Sequence, residues 1–306
     1  VVLVLWFVSI AYVYGLGALA GKYAPHLAER SMVRAANLLS VFGPDYKPCG
    51  DTPALECGFQ NTEGRQEVSC ADYQGEGAAV LLTFGQSNSA NAGEARYIPA
   101  GPVANFNIHD GKCYLAEDPL LGPDGPGGSV WGVLADKLIV NGDYNRVLIA
   151  PFGIGGSSIS QWQADGFLHP VLTRATKAIN DNNITPTHVL WHQGETDASE
   201  ATPQAEYVEK FKFLQSVLLD AGVNAPIHVA MATHCQIPHI DPDPNIAAGQ
   251  ASVRAAQQEL ATLPGMAAGP DTDTIQGELY RHDNCHFNAK GMQAHAKLWR
   301  EVIVGG

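Results

Sequence analysis

From residue 78 onward the chain alternates short apolar runs with longer amphipathic stretches, and this alternation restricts the folds open to it. Ala79-Val80-Leu81-Leu82-Thr83-Phe84 is a continuous apolar run, as expected of a strand buried on both faces. Arg146 to Ala150, His188 to Trp191, Ile227 to Ala232 and Met266 to Gly269 repeat the pattern. Between and after them, Val130 to Val140, Phe167 to Asn180, Gln204 to Ala221, Ala248 to Leu263 and Asn288 to Val304 read as helices. The stretch from Gln204 reads as amphipathic, with Tyr207, Phe211, Phe213, Leu214, Val217 and Leu218 as its apolar residues. Strands alternating with helices predict an α/β protein of three layers, α/β/α, built on a five-stranded parallel sheet. In such sheets ligands bind beyond the carboxyl ends of the strands.

Polar, mostly glycine-containing blocks stand at those ends. Gly85-Gln86-Ser87-Asn88 follows the first run, Gly155-Gly156-Ser157-Ser158 the second, and His192-Gln193-Gly194-Glu195 the third. Asp283-Asn284-Cys285-His286 precedes the last helix. A hydrolase needs a nucleophile, a base, a group that orients the base, and donors for an oxyanion, and the blocks contain residues of each kind. Ser87 taken alone reads equally well as a helix N-cap. Its surroundings are not the Gly-x-Ser-x-Gly elbow, because residue 89 is Ser. His282 and His286 have a spacing that suits metal ligands on a helix, but this segment reads as a loop, so no metal is expected. Ser157, Ser158 and Ser160 read as helix caps, and His234 and Cys235 as structural.

Taken together, the four blocks resemble the SGNH hydrolase superfamily, and more narrowly the carbohydrate O-acetylesterases similar to sialic-acid O-acetylesterase. The resemblance runs over residues 78 to 304. Gly85-Gln86-Ser87-Asn88 looks like the first block, Phe152 to Ile159 with Trp162 the second, Trp191 to Asp197 the third, and Asp283-x-x-His286 the last. Family members commonly carry Met where Ser89 stands here, which bears on local packing or substrate fit. The resemblance implies a flavodoxin-like sheet and a serine esterase that removes acetyl, or another small acyl group, from a carbohydrate without a cofactor. It implies Ser87 as nucleophile, His286 as base and Asp283 as its orienting partner. The oxyanion donors it implies are the backbone N–H groups of Ser87 and Gly156 and the side-chain amide of Gln193. Asn88, Trp162 and Glu195 are candidate substrate contacts, although Glu195 and Asp197 read equally as braces of the third block and Trp162 as a core residue. Cys285 lies inside the last block; pairing with Cys235, just after the fourth strand, is a hypothesis that would clamp the catalytic His loop to the sheet.

The chain ahead of residue 78 lies outside this resemblance. Residues 1–21 carry no charge, and as a helix they would span about 32 Å, close to the ~30 Å of a bilayer core. They read as a transmembrane helix, with a cleavable signal peptide as the competing reading because Ala18-Leu19-Ala20 has a small-x-small form. Ala24 to Val41 has helical character, and Pro44 to Gly77 reads as a linker stapled by disulfide. The expected organisation is a transmembrane helix over 1–21, a juxtamembrane helix and linker over 22–77, and an esterase domain over 78–306. Six cysteines with no Cys-x-x-Cys pair favour disulfides over zinc. That expectation places the domain in an oxidising compartment, periplasmic or extracellular. A net charge of −13 argues against nucleic acid as a partner. The expected partners are an acylated carbohydrate, the membrane through residues 1–21, and other membrane subunits. A rival reading makes the chain an accessory subunit of a membrane complex that keeps an esterase fold.

Overall fold

Val80, Leu82 and Phe84 pack into one buried cluster while Ala79 and Leu81 pack into another, so the first apolar run faces two cores at once. The structure is a computed structural model that describes residues 49, 53–235 and 246–305; the expected transmembrane helix, the expected helix after it and most of their surroundings lie outside the described residues. The strands are β1 Glu67–Val68, β2 Ala78–Gly85, β3 Val103–Asn107, β4 Lys112–Leu115, β5 Arg146–Pro151, β6 His188–His192, β7 Ile227–Met231 and β8 Met266–Asp271. The α-helices are α1 Val130–Val140, α2 His169–Asp181, α3 Glu195–Ser199, α4 Gln204–Asp220, α5 Ile246–Leu260 and α6 Ala289–Gly305.

The strands form a single sheet in the order β1-β4-β3-β5-β2-β6-β7-β8. From β3 to β8 all neighbours are parallel, and β4 and β1 extend the edge antiparallel. The five strands read from the sequence are all present, and counted along the chain they lie in the order 2-1-3-4-5 of flavodoxin-like sheets. The expected strand number is corrected from five to eight. The three additional strands escaped notice for physical reasons: β3 reads Val-Ala-Asn-Phe-Asn, β4 has four residues and β1 two. Asn105 of β3 is buried nonetheless, because its side chain bonds the backbone of Leu121 through both its oxygen and its nitrogen.

Helices cover both faces. On one, α2, α4 and α5 bury Leu172, Phe211, Leu214 and Val253 against Leu82, Phe84, Leu148 and Val229. On the other, α1 and α6 bury Trp131, Leu134, Trp299 and Ile303 against Leu81, Val147 and Ile149. Among the described residues no helix is long and apolar enough to cross a membrane.

All six cysteines pair: Cys49 with Cys57, Cys70 with Cys113, and Cys235 with Cys285. Three disulfides suit a protein that works in an oxidising compartment, extracellular or periplasmic. The second ties the turn before β2 to β4, and the third joins the chain beyond β7 to the loop before α6.

The sheet reverses direction of growth at β2, with β5 on one side and β6 on the other, and this is where the chain turns out toward Ser87. Gly85 makes that turn possible. Its φ is 137°, and a Cβ there would stand 2.0 Å from the His192 carbonyl oxygen. Gly85→Ala is therefore expected to destabilise the fold by at least about 1–3 kcal/mol through backbone strain, measured as a lower urea midpoint.

Candidate active site

Ser87 opens a single turn of 3-10 helix, Ser87–Ser89, just beyond β2. Its side chain does not cap that turn. Ser87 Oγ lies 2.9 Å from His286 Nε2, and His286 Nδ1 lies 2.6 Å from Asp283 Oδ2. The Asp283 carboxylate also accepts the backbone N–H groups of Cys285, at 2.9 Å, and His286, at 2.6 Å. The loop is thus wound around its own carboxylate. Burial opposes the charge of Asp283, but the ring and backbone N–H groups of His286 outweigh it and hold the carboxyl well below the usual carboxylate range.

The ligand atoms of His282, Asp283 and His286 lie within 4.8 Å of one another. Both ring nitrogens of His286 already face Ser87 and Asp283, so a cation there would have to break the hydrogen-bonded chain. The arrangement is suited to moving a proton.

The loop after β5 borders Ser87: a Cβ at Gly155 would stand 3.8 Å from Ser87 Cβ. Gly156 has φ 67° and open space where a side chain would project. The backbone N–H groups of Ser87 and Gly156 have no acceptor among the described residues. Ser158 begins the following 3-10 turn, Ile159–Trp162, in a capping box with Gln161.

Gln193 differs from the expectation of a third oxyanion donor. It is fully buried, with its amide nitrogen donating to Ser157 O at 3.0 Å and to Asp197 Oδ2. Its amide oxygen accepts the Tyr207 hydroxyl at 2.8 Å. The amide's nitrogen and oxygen are thus both engaged by groups inside the protein, around the loop of Gly156. Asp197 completes the support by accepting the Ile159 N–H at 2.8 Å and the Thr202 hydroxyl at 2.9 Å.

The three candidate substrate contacts are likewise internal. Trp162 is fully buried, edge-on to Phe84, Phe152 and Trp191, and its indole N–H donates to Ser157 Oγ at 3.2 Å. It braces the loop of Gly156 and offers no face to a sugar. Asn88 and Glu195 are buried and bonded to each other at 2.9 Å. Cys285 pairs with Cys235 as hypothesised, immediately before His286.

Arg281 was not singled out in the sequence. It is buried, with its guanidinium donating to the carbonyls of Ile275 at 2.6 Å, Thr272 at 3.1 Å, His234 at 3.3 Å and Cys285. Its charge also sits 4.2 Å from the centre of the Phe287 ring. The one available signal was position, two residues ahead of Asp283.

Fold and site together suit a carboxylic ester hydrolase, and the family shows that it is one. A family profile described as carbohydrate esterase, sialic acid-specific acetylesterase, matches residues 78–303, and the chain belongs to that family. Its activity is accordingly that of an acetyl esterase. Among solved structures it is similar to a protein from Arabidopsis thaliana, with 15% identity and a TM-score of 0.56, over 74% of this chain and 98% of that one. At that identity the likeness speaks for the fold alone. NanS is 17% identical with a TM-score of 0.48, over 74% of this chain and 96% of its own. XAC1771, a carbohydrate acetylesterase from Xanthomonas citri, is 15% identical with a TM-score of 0.43, over 75% of this chain and 57% of its own. No curated protein sequence matches.

Burial pushes the Glu195 carboxyl up from the ordinary 4.5 to about 7, against the pull of the Asn88 amide and the Arg281 charge. Neighbouring His192, pushed down to about 3 chiefly by burial, stays neutral throughout this range. Glu195 keeps its proton in the folded protein at pH values where the unfolded chain releases it. Its contribution to stability is thus complete below about pH 4.5 and lost as pH rises through about 7. Glu195→Gln, neutral at every pH, is expected to flatten this descent; melting temperatures compared from about pH 4 to pH 8 check it, and equal slopes in both proteins would refute it.

Proposed function

We propose that this chain is a serine esterase that removes acetyl, or another small acyl group, from a carbohydrate through an acyl-enzyme on Ser87. The observation that carries the reading is the unbroken hydrogen-bonded chain from Asp283 through His286 to Ser87, beside two unclaimed backbone N–H groups.

The steps follow from this geometry. His286 Nε2 takes the Ser87 proton as Oγ attacks the ester carbonyl carbon, and the carbonyl π electrons move to oxygen. Asp283 keeps the Nδ1 proton in place and stabilises the imidazolium that forms. The oxyanion is held by the N–H groups of Ser87 and Gly156, each such donor being worth roughly 3–4 kcal/mol of barrier. The tetrahedral intermediate expels the sugar alkoxide, which takes the proton from His286. Water, deprotonated by the same His286, then attacks the acyl carbon; the C–Oγ bond breaks, the carboxylic acid leaves, and Ser87 Oγ takes back the proton from His286. Gln193, Asp197 and Trp162 contribute by fixing the loop that presents Gly156.

The disulfides support work outside the reducing cytosol. Residues 1–21 are proposed, from composition, to tether the enzyme to a membrane. The rival reading as an accessory subunit has nothing in fold, site or family in its favour.

Ser87→Ala is expected to lower hydrolysis of a small acetyl ester by about 10⁴-fold or more and to abolish labelling by a fluorophosphonate. Hydrolysis that survives the substitution unchanged would sink the nucleophile assignment. Release of acetate from acetylated sugars, compared with longer acyl esters, tests the substrate class.

A further inference from the structure

Asn88 follows the nucleophile and Cys285 precedes the catalytic-loop histidine, so these two residues flank the Ser87–His286 hydrogen bond. The Asn88 amide nitrogen donates to the Cys285 carbonyl at 3.2 Å and to Glu195 Oε1 at 2.9 Å. Both of its N–H groups are therefore spent inside the protein, and the residue is only 6% exposed. The two loops are joined twice in adjacent positions, once through the reacting groups and once through Asn88.

Each end of this second tie is anchored in turn. The Cys285 carbonyl also accepts from Arg281, and its side chain is bonded to Cys235. Glu195 is the first residue of α3, fully enclosed, with the His192 ring 3.9 Å away. Asn88 cannot swing toward a substrate without leaving Glu195 Oε1, like Oε2, buried and unpaired, and without surrendering the Cys285 contact. Leaving a buried acceptor unpaired costs far more than an ordinary hydrogen bond contributes.

We propose that Asn88, anchored on Glu195, is a positioning residue that holds the turn of Ser87 against the loop of His286. It touches neither the acyl group nor the sugar; it acts by keeping Ser87 Oγ within hydrogen-bond reach of the base. The inference rests on the esterase reading above and goes beyond it, because it moves two polar residues of the four blocks from substrate recognition to alignment of the triad.

The test uses the full chain, a small acetyl ester and an acetylated sugar. Misalignment by a fraction of an ångström is expected to cost Asn88→Ala about 10- to 100-fold in kcat on both substrates with KM unchanged. Glu195→Ala is expected to do the same, and Glu195→Gln, which keeps an acceptor oxygen, to restore most of the loss. Because Asn88 acts through Glu195, the double alanine variant is expected to be no slower than either single one. Asn88→Asp keeps the shape but replaces the amide donor; it serves where the alanine variant does not fold, and should be at least as slow. An Asn88→Ala enzyme with normal kcat on the small ester but a raised KM for the sugar would overturn the proposal and make Asn88 a substrate contact. Additive losses in the double variant would also overturn it. If the wild type shows no Ser87-dependent hydrolysis, the nucleophile assignment falls and this proposal falls with it; intact Ser87-dependent hydrolysis alongside an unaffected Asn88→Ala defeats this proposal alone.

Discussion

A guanidinium buried among backbone carbonyls organises one side of this protein. Arg281 draws together the carbonyls of His234, beyond β7, of Thr272 and Ile275, beyond β8, and of Cys285, inside the loop that carries His286. Taking a charge out of water is expensive unless dipoles replace the lost hydration, and four carbonyls at hydrogen-bond distance do so. Burial still pulls the Arg281 pKa below its ordinary value, opposed by the more distant charges of Glu195, Asp273 and Asp283. The cation therefore fixes three separate chain segments in one place. The Cys235–Cys285 bridge joins two of these three segments covalently.

The third block works in a similar way on the other side of Ser87. Gln86 Oε1 accepts the backbone N–H groups of Gly194, at 3.3 Å, and Thr196, at 3.1 Å, which binds the turn before Ser87 to the start of α3. Asp197 and Gln193 hold the loop of Gly156, and Glu195 holds Asn88. A handful of side chains that look, in one dimension, like a second set of reactive groups form a buried polar scaffold. Such a scaffold fixes the relative positions of loops that come from distant parts of the chain.

This explains what could be read from the sequence and what could not. Strands buried on both faces announce themselves as apolar runs, so β2, β5, β6, β7 and β8 and the helices between them were legible, as was the rim on which Ser87, Gly156, Asp283 and His286 meet. Local patterns fail where a polar residue is satisfied by something far away in sequence. Asn105 breaks the apolar run of β3 because its partner is Leu121, and Gln193 resembles an exposed donor until Asp197, Ser157 and Tyr207 are in place around it. Trp162 illustrates the same limit with an aromatic: the sequence gives its type, while only packing against Phe84, Phe152 and Trp191 decides which way it faces. The short helix α3 is five residues long and carries Glu195 and Asp197 inward, contrary to the rule that carboxylates face water.

The two outer strands of the sheet differ from the rest. β1 is two residues long, and Glu67 there pairs with Lys112 of β4 across the edge, while β8 ends in Gly269-Pro270-Asp271. Short, charged or proline-bearing margins give an incoming strand few backbone groups to bond. The sheet is thus closed to growth at both borders without being closed into a barrel. For an acetyl esterase built on a sheet that is open at both ends, this guards against the edge-to-edge aggregation that such a sheet would otherwise invite.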